Sequence, residues 1–298
     1  MTFLTDPWAW WIEPFLGNPA MRNALWAVLL TAACTALVGT WVVLRGMSFL
    51  GDALAHGVLP GIAIAFVLGI DTTLGAFVAA FVMVAGVNVV RSASPLPDDA
   101  SIGILFVGFL ALAVVVMSTQ QSSYTGDLTR FLFGSITGVD ATDLTRQAVA
   151  TAVTVVGVTV LYRALLVGTF DARQAAMLGL RPHLADAGLL GLVAVAIVAS
   201  FSTVGNLLVF AFLVAPPATA TLVVRRVPAI MGVAASIGAA CGAVGLLVSY
   251  HEATAAGATM ALCTVIVFFA ALVVRAIATA LVRARTRSGD ARYAPSHG

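Results

Sequence analysis

Residues 45–61 read RGMSFLGDALAHGVLPG, and they place two ionisable side chains, Asp52 and His56, inside a strongly apolar part of the chain. The two residues are four positions apart, so on a helix both side chains lie on one face, one turn apart. Ionisable groups in apolar surroundings are expensive, and they usually mark a pair or a functional site. The spacing therefore predicts a helix that carries two groups able to hold one ion together.

The composition extends this apolar character to the whole chain. The 298 residues are 61% hydrophobic and 9% charged, and the mean hydropathy is +1.05. A soluble domain of this length carries far more charge. Apolar runs long enough to cross about 30 Å of hydrocarbon as helices recur along the sequence, whereas the alternating segments of a β-barrel are absent. The sequence therefore predicts an all-α, polytopic transmembrane helix bundle, a multi-pass protein of the cell (inner, cytoplasmic) membrane in contact with its lipid.

The apolar runs divide the chain into about eight to nine membrane spans. Residues 1–20, with three clustered tryptophans, are expected to form an interfacial segment. Residues 21–275 form the transmembrane domain, and residues 276–298 form a basic tail. Nine spans can be drawn, at residues 21–44, 52–70, 73–90, 101–119, 147–168, 186–201, 205–224, 229–250 and 255–275.

The placement of arginine predicts the orientation, because short loops rich in arginine stay on the cytoplasmic side. With the C-terminus inside, only Arg22, Arg130 and Arg146 of the 15 basic residues fall on the outer side. Nine spans then leave the N-terminus outside. Residues 276–298 become a cytoplasmic tail.

All 15 basic residues are arginine, so the sequence contains no lysine. The phosphate-binding P-loop of an ATPase requires a lysine, and so does Schiff-base catalysis. The chain is therefore expected not to be an enzyme of either kind. Any ATP-driven work must draw on hydrolysis by a separate subunit.

The residues that follow His56 add to the chemistry of the stretch. Pro60 has no N–H to bond the His56 carbonyl oxygen. One region therefore offers a carboxylate, an imidazole and a carbonyl oxygen, a mixed set suited to Mn²⁺, Zn²⁺ or Fe²⁺. Gly57 and Gly61 form a GxxxG pattern that allows another helix to approach closely. The alternative is that Asp52 caps the cytoplasmic end of the helix and His56 bonds a neighbouring helix.

Prolines and polar residues mark further candidate features. Pro216 and Pro217 predict a kink or an interruption in the seventh span, of the kind that lines cavities in transporters, although helix packing also tolerates such prolines. His251 and Glu252, at the outer end of the eighth span, are candidates for helping a metal ion to enter. The alternative is that they are ordinary loop residues. The isolated Met177 is interpreted as filler.

Two segments do not fit plain spans. Residues 124–143 contain an apolar piece too short to cross the bilayer, which predicts a re-entrant or interfacial helix on the outer side. Residues 170–183, FDARQAAMLGLRPH, predict a short cytoplasmic helix that Asp171 caps and Gly179 ends, because Pro182 prevents its continuation. A short, terminated helix on this face is typical of a docking element.

Residues 45–61 resemble the signature of the permease subunits of the manganese, zinc and iron family of ABC importers, whose usual form is close to RxMSLxGDALSHAVLPG. Other segments resemble the family in the same order along the chain, so the resemblance covers about residues 21–274. These segments are DLTRFLFGSI (127–136), FDARQAAMLGL (170–180), VGNLLVFAFLVAPPATA (204–220) and AAGATMAL (255–262).

The resemblance implies a homodimeric permease of an ATP-driven importer for a divalent transition metal. Each copy would dock a cytosolic ATPase subunit and receive the metal from an extracytoplasmic metal-binding protein. The metal would be cargo, with no permanently bound cofactor and no nucleic-acid partner. By position, Asp52 and His56 match the family's acid and imidazole in the ion pathway. The residues that match the ATPase-docking helix are Asp171, Ala172, Ala175 and Gly179.

The sequence also departs from the family pattern. Ala55 replaces the common serine, Pro217 stands where alanine is usual, and residues 255–257 lack the customary acidic, proline and serine lead-in. These departures leave the identity of the metal open. Two other functions are consistent with the residues: a proton-coupled secondary metal carrier that titrates Asp52 or His56, and a membrane scaffold without transport activity.

Overall fold

The computed structural model describes residues 7–93, 98–118 and 138–290, and within these ranges the chain is helical and contains no strand. The all-α prediction is confirmed. The described helices are α1 (Pro7–Trp11), α2 (Glu13–Gly17), α3 (Pro19–Leu44), α4 (Ser48–Gly57), α5 (Leu59–Leu68), α6 (Thr72–Ala93), α7 (Asp98–Ser118), α8 (Ala141–Phe170), α9 (Ala172–Met177), α10 (Pro182–Val204), α11 (Asn206–Val223), α12 (Val227–Glu252) and α13 (Ala256–Asp290).

Eight candidate membrane spans lie in the described ranges, and α4 and α5 together form one of them, Ser48–Leu68. The remaining predicted span, 205–224, corresponds to α11, whose apolar part Leu208–Val223 is shorter than a typical span. The prediction of about eight to nine spans is confirmed. The interfacial segment predicted at 124–143 lies largely outside the described residues, and its last three residues begin α8.

Contacts between helices show that α11 nevertheless crosses the bundle. The start of α10 lies beside the end of α3, because Arg45 bonds Asp186. The start of α12 lies at that same end, where Ile230 and Ala220 pack with Ala36 and Leu44. Helix α10 leaves this end and the chain returns to it before α12 begins. The return path is α11, so α11 is the ninth crossing.

The central helix of the bundle is α3, which packs against α8, α10, α11 and α12. The spans formed by α3, by α4 with α5, and by α10 are 67% buried, whereas those of α7, α8 and α13 are only 17–22% buried. The exposed surface of these outer helices is apolar, with residues such as Val107, Val160 and Phe269. A helix that is apolar on all sides and exposed on the outside of a bundle is typical of a lipid-facing membrane span.

The close packing of α3 against α11 depends on a glycine, Gly39. At Gly39, an added Cβ would fall on the Leu213 carbonyl oxygen of α11. This is the oxygen that Pro217 cannot bond, because proline has no N–H. The missing side chain on α3 therefore lets the two backbones approach at the point where α11 lacks a hydrogen bond.

A tight reversal connects α3 to α4. The Gly46 N–H donates to the Val43 carbonyl (3.1 Å) and the Met47 N–H to the Val42 carbonyl (2.9 Å). Gly46 has φ of +69°, a left-handed conformation that glycine adopts without steric cost. The turn is so short that α4 begins at Ser48, four residues before the predicted start of the second span. Asp52 consequently lies one helical turn inside α4, about 6 Å along its axis.

Two helices extend beyond the predicted spans. Helix α8 has 30 residues and α13 has 35, lengths of about 45 and 50 Å that exceed the hydrocarbon thickness. The extra length of α8 carries the chain to α9 at the Arg45 end of the bundle. Residues 276–290 of the predicted tail continue α13 as helix.

Candidate functional site

Asp52 and His56 form a pair on one face of α4. The Nε2 atom of His56 lies 3.6 Å from an Asp52 carboxylate oxygen, and the side chains are 27% and 30% exposed, respectively. The neighbouring residues Ala53, Leu54 and Ala55 are fully buried. One narrow, open face of an otherwise packed helix thus carries both ionisable groups, as the i, i+4 spacing predicts.

Aromatic rings form the wall beside this pair. The Phe106 ring of α7 stands edge-on to the His56 imidazole, with centroids 5.6 Å apart. The same ring contacts Phe49, one turn before Asp52, at 6.2 Å. The polar pair therefore lies against an apolar surface, which limits the water available to it and strengthens its attraction for a cation.

The helix carrying the pair breaks just before Pro60. Helix α4 ends at Gly57 and α5 begins at Leu59, with Pro60 in the first turn of α5. Proline suits this position because its missing N–H would have no partner there in any case. The break ends the ordinary helical hydrogen-bond ladder immediately after His56.

The GxxxG pattern brings α6 against the site helix. An added Cβ at Gly61 would fall on the Gly75 carbonyl oxygen, and one at Gly57 would meet the Met83 sulfur. Both glycines thus permit the close approach that the sequence predicts. Because α6 buries this side of the helix, the Asp52–His56 face is left as its open side.

The prolines of α11 behave differently from Pro60. Helix α11 is continuous through Pro216 and Pro217, and both residues are buried. The sequence predicts either a kink or an interruption at these prolines. The structure shows no interruption of α11 there. The Pro217 ring lies near Gly39, so packing between α3 and α11 accommodates the prolines.

His251 and Glu252 lie at the opposite end of the bundle from Arg45 and the start of α4. Helix α12 runs antiparallel to α3, because Gly238 lies beside Ala32 and Gly242 beside Val28. The structure therefore does not bring His251 and Glu252 together with Asp52 and His56. They stand at the far end of the spans.

His251 has close neighbours in the N-terminal segment. Its ring stacks on that of Trp10 at 4.7 Å, and its Nε2 lies 3.2 Å from the Trp10 carbonyl oxygen. Since a carbonyl only accepts, Nε2 must carry the proton and donate it. His251 borders a hollow of about 490 Å³ that Glu13 and Tyr250 also line.

The short helix predicted after Phe170 is present as α9. The Asp171 carboxylate accepts the Gln174 N–H at 2.9 Å, which caps the helix. Gly179, with φ of +71°, ends the turn, and the Leu180 N–H returns to the Ala175 carbonyl at 3.0 Å. Of the other predicted docking residues, Ala172 begins the helix and Ala175 is fully buried.

Two residues at this end have surroundings that the sequence did not indicate. Met177, interpreted as filler, is 82% exposed at the tip of α9, next to the exposed Leu178. Arg45 lies in the signature stretch, and its guanidinium bonds side chains of α8 and α10. Both depend on contacts or exposure created by the tertiary structure, so no local pattern predicts them.

The described residues contain no complete set of metal ligands. Across residues 7–93, 98–118 and 138–290, no group of three or more His, Cys, Asp or Glu side chains is placed to hold a metal ion. Asp52 and His56 are two side chains of types that bind metal ions, fewer than the four ligands that a tetrahedral site requires. Within the described residues, this pair therefore amounts to half of such a ligand set, called here the half-site.

Nine crossings among the described residues, lipid-facing outer helices and an ionisable pair on α4, beside the break between α4 and α5, define the class of polytopic membrane transport proteins. The sequence model of the ABC 3 transport family matches residues 18–275. The chain belongs to this family, and the resemblance to permease subunits of metal ABC importers is confirmed.

Individual relatives match over nearly their whole length. The manganese transport system membrane protein MntC of Listeria monocytogenes is 32% identical over 260 residues, which cover 87% of this chain and 92% of the relative. The chelated iron transport system membrane protein YfeD of Yersinia pestis is 32% identical over 261 residues, covering 88% and 87%. The chain is also similar to a chain of the structure of PsaBC from Streptococcus pneumoniae in complex with Fab, with a TM-score of 0.79, 30% identity and coverage of 88% and 94%.

These findings define the chain as a multi-pass permease subunit of the cell membrane. Relatives of this family are membrane components rather than catalytic ones. ATP hydrolysis therefore belongs to a separate subunit, in agreement with the absence of lysine from this sequence.

Proposed function

We propose that this permease carries a divalent transition metal, Mn²⁺, Zn²⁺ or Fe²⁺, inward across the membrane, with Asp52 and His56 as transient ligands. The observation that carries the proposal is the ionisable pair on the one open face of a buried, broken helix. A carboxylate and an imidazole bind all three ions. The named manganese and iron transport of the relatives supports the same class of cargo.

The half-site calls for a second copy of the chain. Two copies related by a twofold axis would bring together two carboxylates and two imidazoles, enough for a four-coordinate site. Phe49, Asp52 and His56 lie on the exposed face that such a partner would cover. Each copy would contribute a weak, incomplete ligand set, which suits a pathway because the ion must also leave.

The exposed tip of α9 fits a contact with the ATPase subunit. Met177 and Leu178 present apolar surface beyond the bundle, and Arg173 is exposed beside them. Exposed apolar patches rimmed by charge are typical of protein interfaces. Asp171, Ala172, Ala175 and Gly179 would set the shape and attachment of α9, while Met177 and Leu178 would make the contact.

The opposite end of the bundle would face an extracytoplasmic metal-binding protein. The hollow beside Glu13 and His251 opens there, and Glu252 is exposed next to it. The His251 Nε2 faces the Trp10 carbonyl oxygen. His251 could therefore assist an incoming ion only through Nδ1, or after the N-terminal segment moves away.

Metal uptake by cells that express the complete transporter tests the pathway. We expect Asp52→Asn and His56→Gln each to reduce uptake of radiolabelled Mn²⁺ by about tenfold or more, the size of loss that changes near a metal ligand typically cause. Asp71→Asn is the matched control, because Asp71 is an exposed carboxylate outside the proposed pathway.

Two results would contradict the proposal. Normal uptake by both pathway variants, at normal expression, would remove Asp52 and His56 from the pathway. Metal uptake into liposomes by the purified permease alone under a pH gradient would instead identify a proton-coupled secondary carrier.

A further inference from the structure

One side chain, Arg45, connects three helices at the end of the bundle where α9 lies. Its Nε donates to the Thr169 hydroxyl oxygen at 2.9 Å, and its Nη1 donates to the Asp186 carboxylate. Its Nη2 lies 3.5 Å from the Leu165 carbonyl oxygen. The residue at the end of α3 thus contacts the last turns of α8 and the first turns of α10.

The position of this guanidinium is closely defined. The Arg45 side chain is only 12% exposed, whereas that of Asp186 is 49% exposed. The Thr169 hydroxyl donates to the Leu165 carbonyl at 2.6 Å, which turns its oxygen toward Arg45. The positive charge also lies at the C-terminal ends of α3 and α8, where the helix dipole favours it. Planar, multidentate bonding of this kind is specific to arginine.

The bonded residues lie on both sides of α9. Thr169 precedes the α9 cap, Asp171, by two residues, and Asp186 lies near the start of α10, the helix that follows α9. Along the sequence, Arg45 is separated from α4 only by Gly46 and Met47, which form the tight turn. Arg45 therefore gives a side-chain connection between both attachments of α9 and the turn that begins the pathway helix.

We propose that Arg45 is a positioning residue that couples α9 to the pathway helix α4. The inference rests on the proposed contact between α9 and the ATPase. When the ATPase moves α9, the ends of α8 and α10 move with it, and the Arg45 bonds transmit this displacement to the turn that begins α4. Asp52 and His56 then change position together, because both belong to the same rigid helix. Because Asp186 is half exposed, its bond to Arg45 is the one that water can most readily replace.

Coupling is measured as the number of ions transported per ATP hydrolysed. The experiment uses the complete transporter in liposomes. Mn²⁺, Zn²⁺ and Fe²⁺ are first supplied separately to the wild type. The ion that the wild type transports is then used to compare all variants. We expect Arg45→Ala to retain ATP hydrolysis within about twofold but to lower the transport ratio about tenfold, a coupling change within the range seen for linked sites. Arg45→Lys keeps the positive charge but lacks the forked guanidinium. It should therefore recover part of the transport ratio that Arg45→Ala loses.

Two further variants separate coupling from folding. Asp186→Asn removes the charge of a half-exposed residue, and should lower the ratio without loss of protein. Arg163→Ala, which removes an exposed arginine elsewhere on α8, should leave the ratio unchanged. A parallel fall of hydrolysis and transport in Arg45→Ala and Asp186→Asn, with the ratio unchanged, would overturn the proposal and leave Arg45 a structural role.

The basis of the inference is tested separately. Met177→Asp places a charge on the exposed tip of α9, and we expect it to prevent co-purification of the ATPase. If the ATPase stays bound, α9 is not its contact and the coupling route fails at that point. If the wild-type transporter carries none of the three ions, the proposed function fails instead.

Discussion

At the scale of single residues, Gly61 and Gly57 show how the signature stretch determines packing as well as chemistry. A Cβ at Gly61 would meet the Gly75 backbone, whereas one at Gly57 would meet the flexible Met83 side chain. We expect Gly61→Ala to lower the free energy of unfolding of the purified protein by about 1–3 kcal/mol, and its melting temperature with it. Gly57→Ala should cost less, because the end of a methionine side chain can move aside.

The control for this comparison is Gly108→Ala, since nothing lies within 4 Å of a Cβ added at Gly108. It should leave the melting temperature unchanged or slightly higher, because alanine favours helix more than glycine does. Equal melting temperatures for Gly61→Ala and Gly108→Ala would contradict the close approach of α5 and α6.

The residues that the sequence predicted well are those whose roles depend on near neighbours in the chain. The shared face of Asp52 and His56 follows from their spacing, and Pro60 lies in the first turn of α5, the helix after the break. The bonds of Arg45 join residues more than 100 positions apart. Sequence reasoning could assign Arg45 only to the cytoplasmic surface, because its partners become neighbours only in the folded bundle.

At the scale of helices, Asp71 caps α6 and gives its stability a pH dependence. The Asp71 carboxylate accepts the Thr73 N–H at 2.7 Å, and this bond lowers the pKa of Asp71. A lowered pKa in the folded state adds stability above the unfolded pKa, and that stability is lost as the pH falls through the folded pKa. We expect Asp71→Ala to lower the free energy of unfolding by about 0.5–1 kcal/mol at neutral pH.

Thermal unfolding in detergent at two pH values checks this expectation. The difference between wild type and Asp71→Ala should shrink as the pH falls below the ordinary aspartate pKa of about 3.9 and through the lowered pKa of Asp71, because the carboxylate then becomes protonated. Asp71→Asn should resemble the wild type at neutral pH, because asparagine is also a good cap. Arg146→Ala should be nearly neutral, because the Asp71–Arg146 pair is exposed and 3.5 Å apart. A large loss in Arg146→Ala alone would assign the effect to the ion pair.

Helix boundaries were less predictable than the number of membrane spans. The second span was expected to begin at Asp52, yet α4 begins at Ser48, because the three-residue turn 45–47 reverses the chain within a single turn. Pro216 and Pro217 predicted a kink or an interruption, or tolerance by helix packing, and α11 continues through both residues where α3 packs against it at Gly39. In both cases local turn geometry or a neighbouring helix overrides the composition of the segment.

At the scale of the whole molecule, the contacts fix which ends of the helices lie together but not which end faces the cytoplasm. Arg45, Asp186 and α9 mark one end of the bundle, while Trp10 and His251 mark the other. The nine crossings of the described residues place the N-terminal helices and the end of α13 at opposite ends. The distribution of arginine predicts that the α9 end faces the cytoplasm.

Labelling of introduced cysteines in cells tests this orientation. The three native cysteines are free, and Cys34 and Cys241 are buried, so all three can be replaced by alanine to give an unreactive background. Glu252 and Arg181 are both exposed, at opposite ends of the bundle. We expect Glu252→Cys to react with a membrane-impermeant maleimide in intact cells, and Arg181→Cys to react only after permeabilisation. The reverse pattern would place α9 outside, where no cytosolic ATPase can reach it, and would contradict both the orientation and the docking role of α9.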